Sequence, residues 1–155
     1  MRVLFDTNVI LDLLLDRQPW ADSASELVDL VERGEIIGVL GATTLTTVYY
    51  VAASARDAPA ARRHVEDLLR LFEVAPVTRG VLESALGVGM SDYEDAVLHE
   101  AGREAGVEAL VTRDLRDFAS GGITVYHPGE LLAALDPEDS SDGPPEPQVP
   151  PPGRR

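Results

Sequence analysis

The chain has 155 residues, 27 acids against 13 basic residues for a formal net charge of −14, and neither cysteine nor lysine. That length suits one domain with a genuine core, and the lack of cysteine excludes thiolate catalysis, cysteine-ligated zinc and disulfide stapling. No apolar run approaches the roughly 20 residues of a membrane span, and Asp6 and Asp12 interrupt what a signal peptide would need, so a cytoplasmic protein without membrane association is expected.

Val3-Leu4-Phe5 reads as a short buried strand, and Val9 to Leu15 follow at helical spacing with Asp12 turned outward. After Pro19 a second helix is expected from Ala21 to Arg33, where Ala24, Leu27, Val28 and Val31 recur at three and four, with Gly34 as its stop. Ile36 to Leu40 reads as a second strand, and Thr43 or Thr44 caps a helix through Val51. Pro59 suits the first turn of a helix to Phe72, Val74 to Val77 form a third strand, and a helix around Leu82 to Val88 breaks at Gly87 or Gly89. A helix from about Asp92 to before Gly106, strands at 109–111 and 123–125, and a helix from Pro128 to Leu135 complete the domain. Strands alternating with helices imply an α/β fold with a mainly parallel sheet covered on both faces. From Asp136 onward an acidic, proline-rich stretch has almost nothing to bury, so residues 136–155 are expected to be a disordered tail beside a 1–135 domain.

Carboxylates gather at three places. Asp6 follows the first strand and Asp114 the fourth, and in an open α/β sheet the carboxyl ends of parallel strands line the ligand crevice. Carboxylates clustered there point to a hard divalent cation. Between them lies Ser91-Asp92-Tyr93-Glu94-Asp95-Ala96, and Asp117 follows Asp114 by three residues, so a tight turn could aim both inward. Each place also has a structural explanation. Asp6 or Asn8 suits a helix cap, Ser91 with Glu94 a capping box, and the third group an Asp-rich turn. The capping box leaves Asp95 over. His99, one turn from Asp95, could be its partner but reads rather as a helix-surface or core histidine and is left out of the site. Arg113 and Arg116 beside the acids, and Arg56, Arg62 and Arg63 elsewhere, are phosphate contacts or solvated surface residues. The all-arginine usage goes with abundant Ala, Val, Gly and Pro, a coding bias. The acidic body argues against coating nucleic acid, yet a nuclease can draw phosphate affinity from metal and a local arginine patch.

Asp6-Thr7-Asn8, Glu94-Asp95-Ala96 and Val111-Thr112-Arg113-Asp114 with Asp117-Phe118 resemble, in order and spacing, the PIN-domain nucleases, above all the toxins of bacterial toxin–antitoxin pairs. The resemblance covers roughly Arg2 to Leu135. It implies a three-layer α/β/α sandwich and Mg²⁺- or Mn²⁺-dependent endoribonuclease activity. It further implies an RNA substrate, a cognate antitoxin whose segment occupies the acidic groove, and a homodimer. By position it makes Asp6, Asp95 and Asp114 metal-binding carboxylates and Asp117 an auxiliary acid, with Thr7, Asn8 and Thr112 orienting them. One departure stands out. The family's usual glutamate in a Thr-Leu-x-Glu phrase is Thr47 here, and Glu94 could supply the missing charge. That departure motivates a second reading, a PIN domain that binds RNA or a protein without cutting. A haloacid-dehalogenase-type phosphatase ranks last, because its second acid is replaced by Asn8.

Overall fold

In the computed structural model of the chain, residues 1–136 are described; the tail expected from Asp136 onward lies, apart from Asp136 itself, outside the described residues. Short apolar runs alternate with amphipathic segments to give β1 (Arg2–Phe5), α1 (Thr7–Leu14), α2 (Trp20–Glu32), β2 (Ile37–Gly41), α3 (Ala42–Ala55), α4 (Ala58–Leu71) and β3 (Glu73–Ala75). The second half supplies α5 (Arg79–Ala85), α6 (Tyr93–Glu104), β4 (Ala109–Val111), a 3₁₀ turn (Leu115–Phe118), β5 (Thr124–Tyr126) and α7 (Pro128–Leu135).

All strand pairings are parallel, in the order β3-β2-β1-β4-β5, with Phe5 opposite Leu40 on one side and Val111 on the other. The chain builds outward from β1 to β3 and then returns to the other side of β1, so the order reverses between β1 and β4. Such a switch point opens a crevice, because the connections leave the two neighbouring strand ends in opposite directions. Successive residues of a strand face opposite ways. Val3 and Phe5 therefore enter a core with α1, α2, α3, α4 and α7, while Leu4 enters one with α5, α6 and Phe118. The result is a three-layer α/β/α sandwich with the sheet buried on both faces, as expected of parallel strands. Gly102 matters to the second face: a Cβ there would lie 2.6 Å from the Leu4 side chain, so glycine lets α6 approach the sheet.

Several local expectations move for identifiable reasons. α3 begins at Ala42 directly after Gly41, so Thr43 and Thr44 lie inside its first turn instead of capping it. The cap of α6 is Asp92, whose carboxylate accepts from the Asp95 N–H at 3.1 Å; this replaces the expected Ser91–Glu94 capping box and leaves Glu94 exposed. Thr78 caps α5 and starts it earlier than Leu82. Gly34 ends α2 at φ +72°, a left-handed conformation that favours glycine. The largest correction is Asp12, which is only 1 % exposed instead of facing solvent. Arg113, arriving from the loop after β4, meets it at 2.7 Å and neutralises it.

Candidate active site

Asp6 is the residue at which β1 ends and α1 starts, and it serves both. Its backbone N–H continues the sheet to the Val111 carbonyl at 3.0 Å. Its carboxylate accepts from the Thr7 N–H at 2.6 Å and from the Thr112 hydroxyl at 2.7 Å. The cap anticipated for this position is thus real, and it aims the carboxylate into the crevice instead of competing with that role. Thr112 is fully buried at the end of β4 and also accepts from the Asp114 N–H at 3.0 Å. Asn8 closes the network: its amide donates to Asp114 Oδ2 at 3.2 Å and to the Thr112 hydroxyl at 3.3 Å. Two polar residues thereby fix the relative positions of two carboxylates that are far apart in sequence.

The 3₁₀ turn after Asp114 explains Asp117. Phe118 is buried in the α5–α6 core, and the turn it anchors presents Asp117 beside Asp114. Asp95 enters from the first turn of α6. Together Asp6, Asp92, Glu94, Asp95, Asp114 and Asp117 line one cleft of about 310 Å³, with Thr7, Asn8, Leu11, Thr43, Leu98 and Arg17. A larger cavity of about 420 Å³ between α1, α2 and α4 has a mixed lining, Leu14, Val28, Leu68 and Leu71 beside Glu32, His64, Asp67 and Arg70; the one-signed cluster of carboxylates is in the smaller one.

Six acids face one arginine, and the electrostatics show the consequence. Asp95 is pushed up to about 7, first by burial and then by Asp6, Asp92, Asp117 and Glu94. Asp6 is also raised, by burial foremost, although its hydrogen bonds from Thr112 and Thr7 pull the other way. The N-termini of α1 and α6 carry partial positive charge toward the cleft, which does not offset the carboxylates.

A stability prediction follows. A carboxyl raised in the folded state favours folding below its ordinary pKa, and that contribution is lost as pH rises through about 7. In chelator-treated buffer at pH 8, Asp95→Asn is expected to melt about 3–5 °C above the parent. Asp95 is only half-buried, so solvent screening reduces the linkage to about 1 kcal/mol. At pH 4 the advantage should vanish; an equal difference at both pH values by scanning calorimetry would refute the electrostatic cause.

Other expected residues fall elsewhere. His99 is buried with Nδ1 3.0 Å from Glu100 and its ring against Gly121, so it is a core histidine and not a partner of Asp95. Arg113 is committed to Asp12 and stacks 4.2 Å above the Trp20 ring. Arg56, Arg62 and Arg63 are exposed on α4 or just before it, outside the acidic cleft; Arg116, exposed on the 3₁₀ turn, lines with Arg113 an adjoining cavity of about 290 Å³ that also holds Asp114 and Asp117. Thr47 does not line the acidic cleft. From α3 the cleft receives Thr43, while the buried Thr44 hydroxyl sits 2.9 Å from that of Thr7. Sequence reasoning missed Asp12, Arg17 and Thr44; Asp12 and Thr44 act through Arg113 and Thr7, distant in the chain, whereas Arg17 pairs with Asp12 only five residues before it.

A three-layer sandwich with carboxylates gathered at its switch point is the class that fold and cleft define. The PIN domain family model matches residues 2–116, and the chain belongs to that family. No curated protein matches it in sequence. In fold it is similar to FitAcB from Neisseria gonorrhoeae, 20% identical with a TM-score of 0.64 over 82% of this chain and 98% of that one. It is similar also to the toxin–antitoxin complex from Klebsiella pneumoniae, 22% identical with a TM-score of 0.63 over 81% and 97%. A third is VapC20 of Mycobacterium tuberculosis, a sarcin–ricin-loop-cleaving toxin, at 17%, 0.62, 77% and 95%. At these identities the likeness is one of fold. No helix of the described residues is long and apolar enough to cross a membrane.

Proposed function

We propose that the chain is a metal-dependent endoribonuclease that hydrolyses RNA phosphodiesters, with residues 1–135 as its nuclease domain. The observation that carries this reading is the acidic cleft at the β1/β4 switch point, where burial and then like charges push Asp95 up to about 7. Among the described residues no group of three or more His, Cys, Asp or Glu is arranged to hold a metal ion. The donors nevertheless fit a hard cation in kind, being carboxylate oxygens that share one cleft and whose pKa values are raised by burial and then by one another.

Asp6, Asp95 and Asp114 would hold the Mg²⁺ or Mn²⁺, with Asp117 as auxiliary acid and Glu94 supplying charge in place of the glutamate that Thr47 replaces. A bound divalent ion supplies a nucleophile at neutral pH and charge stabilisation in the displacement at phosphorus. The protein's own part is orientation. Thr112 and the Thr7 N–H fix Asp6, Asn8 fixes Asp114, and Phe118 anchors the turn that carries Asp117. RNA as substrate is supported by the sarcin–ricin-loop-cleaving toxin among the similar folds. The toxin–antitoxin complex with this fold supports a toxin role with an antitoxin partner, and hence a cytoplasmic, oligomeric protein, expected as a homodimer.

The uncharged Thr47, at the position that the resemblance gives to a glutamate, and the acidic net charge support a second reading, a PIN domain that binds RNA or a protein without cutting. Titration calorimetry with Mn²⁺ separates the two. Saturable binding that disappears in Asp6→Asn is expected for the nuclease; no heat at millimolar Mn²⁺ would favour the non-cutting domain.

A further inference from the structure

A polyanion entering a cleft with six carboxylates needs a cation placed inside it, because the metal alone must first offset the acids. Among the described residues that line the cleft, Arg17 is the only cationic side chain. It sits in the turn between α1 and α2, and its backbone is fixed at both ends: its N–H donates to the Asp12 carbonyl and its carbonyl accepts from the Ala21 N–H, both at 2.9 Å. Its side chain, in contrast, makes no hydrogen bond among the described residues. Its contact is an ion pair of 3.9 Å with Asp12 Oδ1, and 40 % of the side chain is exposed.

Asp12 organises this arrangement. Its Oδ2 is 2.7 Å from Arg113 Nε, and Arg113 is in turn held on the Trp20 ring. One buried carboxylate therefore faces two arginines, one in a close ion pair and seated on a ring, the other at 3.9 Å. The three side chains together carry one net positive charge, and the arginine left to express it is the one that faces the cleft. We infer that Arg17 is the residue that grips a backbone phosphate of the RNA substrate, with Asp12 as the positioning residue that moors it at the cleft wall. This rests on the endoribonuclease reading. A planar guanidinium matches two phosphate oxygens, and moving from a 3.9 Å ionic contact onto a phosphate breaks no hydrogen bond. Arg113 cannot take this part without leaving a carboxylate that is 1 % exposed without its nearest cation.

The test uses a 5′-labelled single-stranded RNA and two measurements. In an Asp114→Asn background, fluorescence anisotropy across a salt series gives affinity and its salt slope. In the otherwise unaltered protein, cleavage kinetics give kcat and KM separately. Arg17→Ala is expected to weaken binding about tenfold, as loss of one charge-assisted contact does. It should also lower the slope of log K against log salt by about 0.7, the counterion yield of one phosphate on a single strand. KM rises with it while kcat changes little, the signature of binding shared by ground and transition states. Arg17→Lys should restore the slope, since the charge is kept. Arg62→Ala, exposed on α4 and outside the cleft, serves as the control and should leave the slope unchanged. Should the alanine variant not fold, as judged by circular dichroism, Arg17→Gln decides in its place. An unchanged slope in the charge-removing variant, or a loss confined to kcat, overturns the assignment and leaves the nuclease reading intact. If the parent protein neither binds nor cuts RNA, both fall together.

Discussion

Asp6→Asn and Asp114→Asn are each expected to lower magnesium-dependent RNA cleavage by about 100-fold or more, the upper end of what losing a single supporting group around a metal costs. Asparagine preserves shape and one acceptor, so the hydrogen bonds from Thr112 to Asp6 and from Asn8 to Asp114 can persist and the fold should survive. What disappears is the negative charge, a metal donor and, in Asp6→Asn, the acceptor that the Thr7 N–H uses. Thr112→Val, which removes only the hydroxyl that orients Asp6, is expected to cost about tenfold. The graded series separates charge from orientation, and a melting curve checks that each variant is folded. Cleavage at the parent rate by either asparagine variant would remove that carboxylate from the reaction and, with it, the metal-site assignment.

Arg113→Ala is expected to destabilise the domain by about 3 kcal/mol near pH 7, the low end for breaking a buried ion pair. The low end applies because Arg113 itself is 24 % exposed, whereas Asp12 is 1 % exposed. Asp12 is already raised by burial, against the pull of Arg113 and Arg17. Removing Arg113 raises it further, so the folded variant holds a proton that the unfolded chain releases. The sign follows: the defect is largest where Asp12 must be charged and shrinks as pH falls and the carboxyl is protonated in both states. Urea denaturation at pH 7 and pH 4 tests this through the midpoints at constant slope. A defect independent of pH would mean that Arg113 contributes through its packing on Trp20 and not through charge.

The contrast between the two sets of residues shows what a sequence can display. Asp6 and Asp114 were legible because each ends an apolar strand, and parallel strands bring such ends to one side of a sheet. The 3₁₀ turn was legible in outline from the spacing of Asp114 and Asp117, although its anchor, Phe118, acts through packing that no spacing reveals. Asp12 was illegible because a charge on an amphipathic helix reads as outward unless its partner is known. That partner, Arg113, comes from a different strand end. His99 is the opposite case: helical spacing offered Asp95 a neighbour, but the reading as a core histidine holds, with the ring turned toward Glu100 and Gly121. The resemblance set Thr47 in place of a glutamate, yet the α3 residue that lines the cleft is Thr43, and the Thr44 hydroxyl meets that of Thr7.

The hydrogen bonds that join the two halves of the cleft, Thr112 to Asp6 and Asn8 to Asp114, each span 106 residues. On a ribosome, synthesis of that interval takes about 5–20 s. Throughout it, Asp6 at the end of β1 and Asn8 in the first turn of α1 wait beside a strand whose β4 side has no partner. A nascent chain that ends before residue 109 holds half a cleft, with one carboxylate lacking the hydroxyl that aims it and two others not yet made. The order of the strands therefore acts as a timer, deferring assembly of the reactive groups until most of the domain has been built around them.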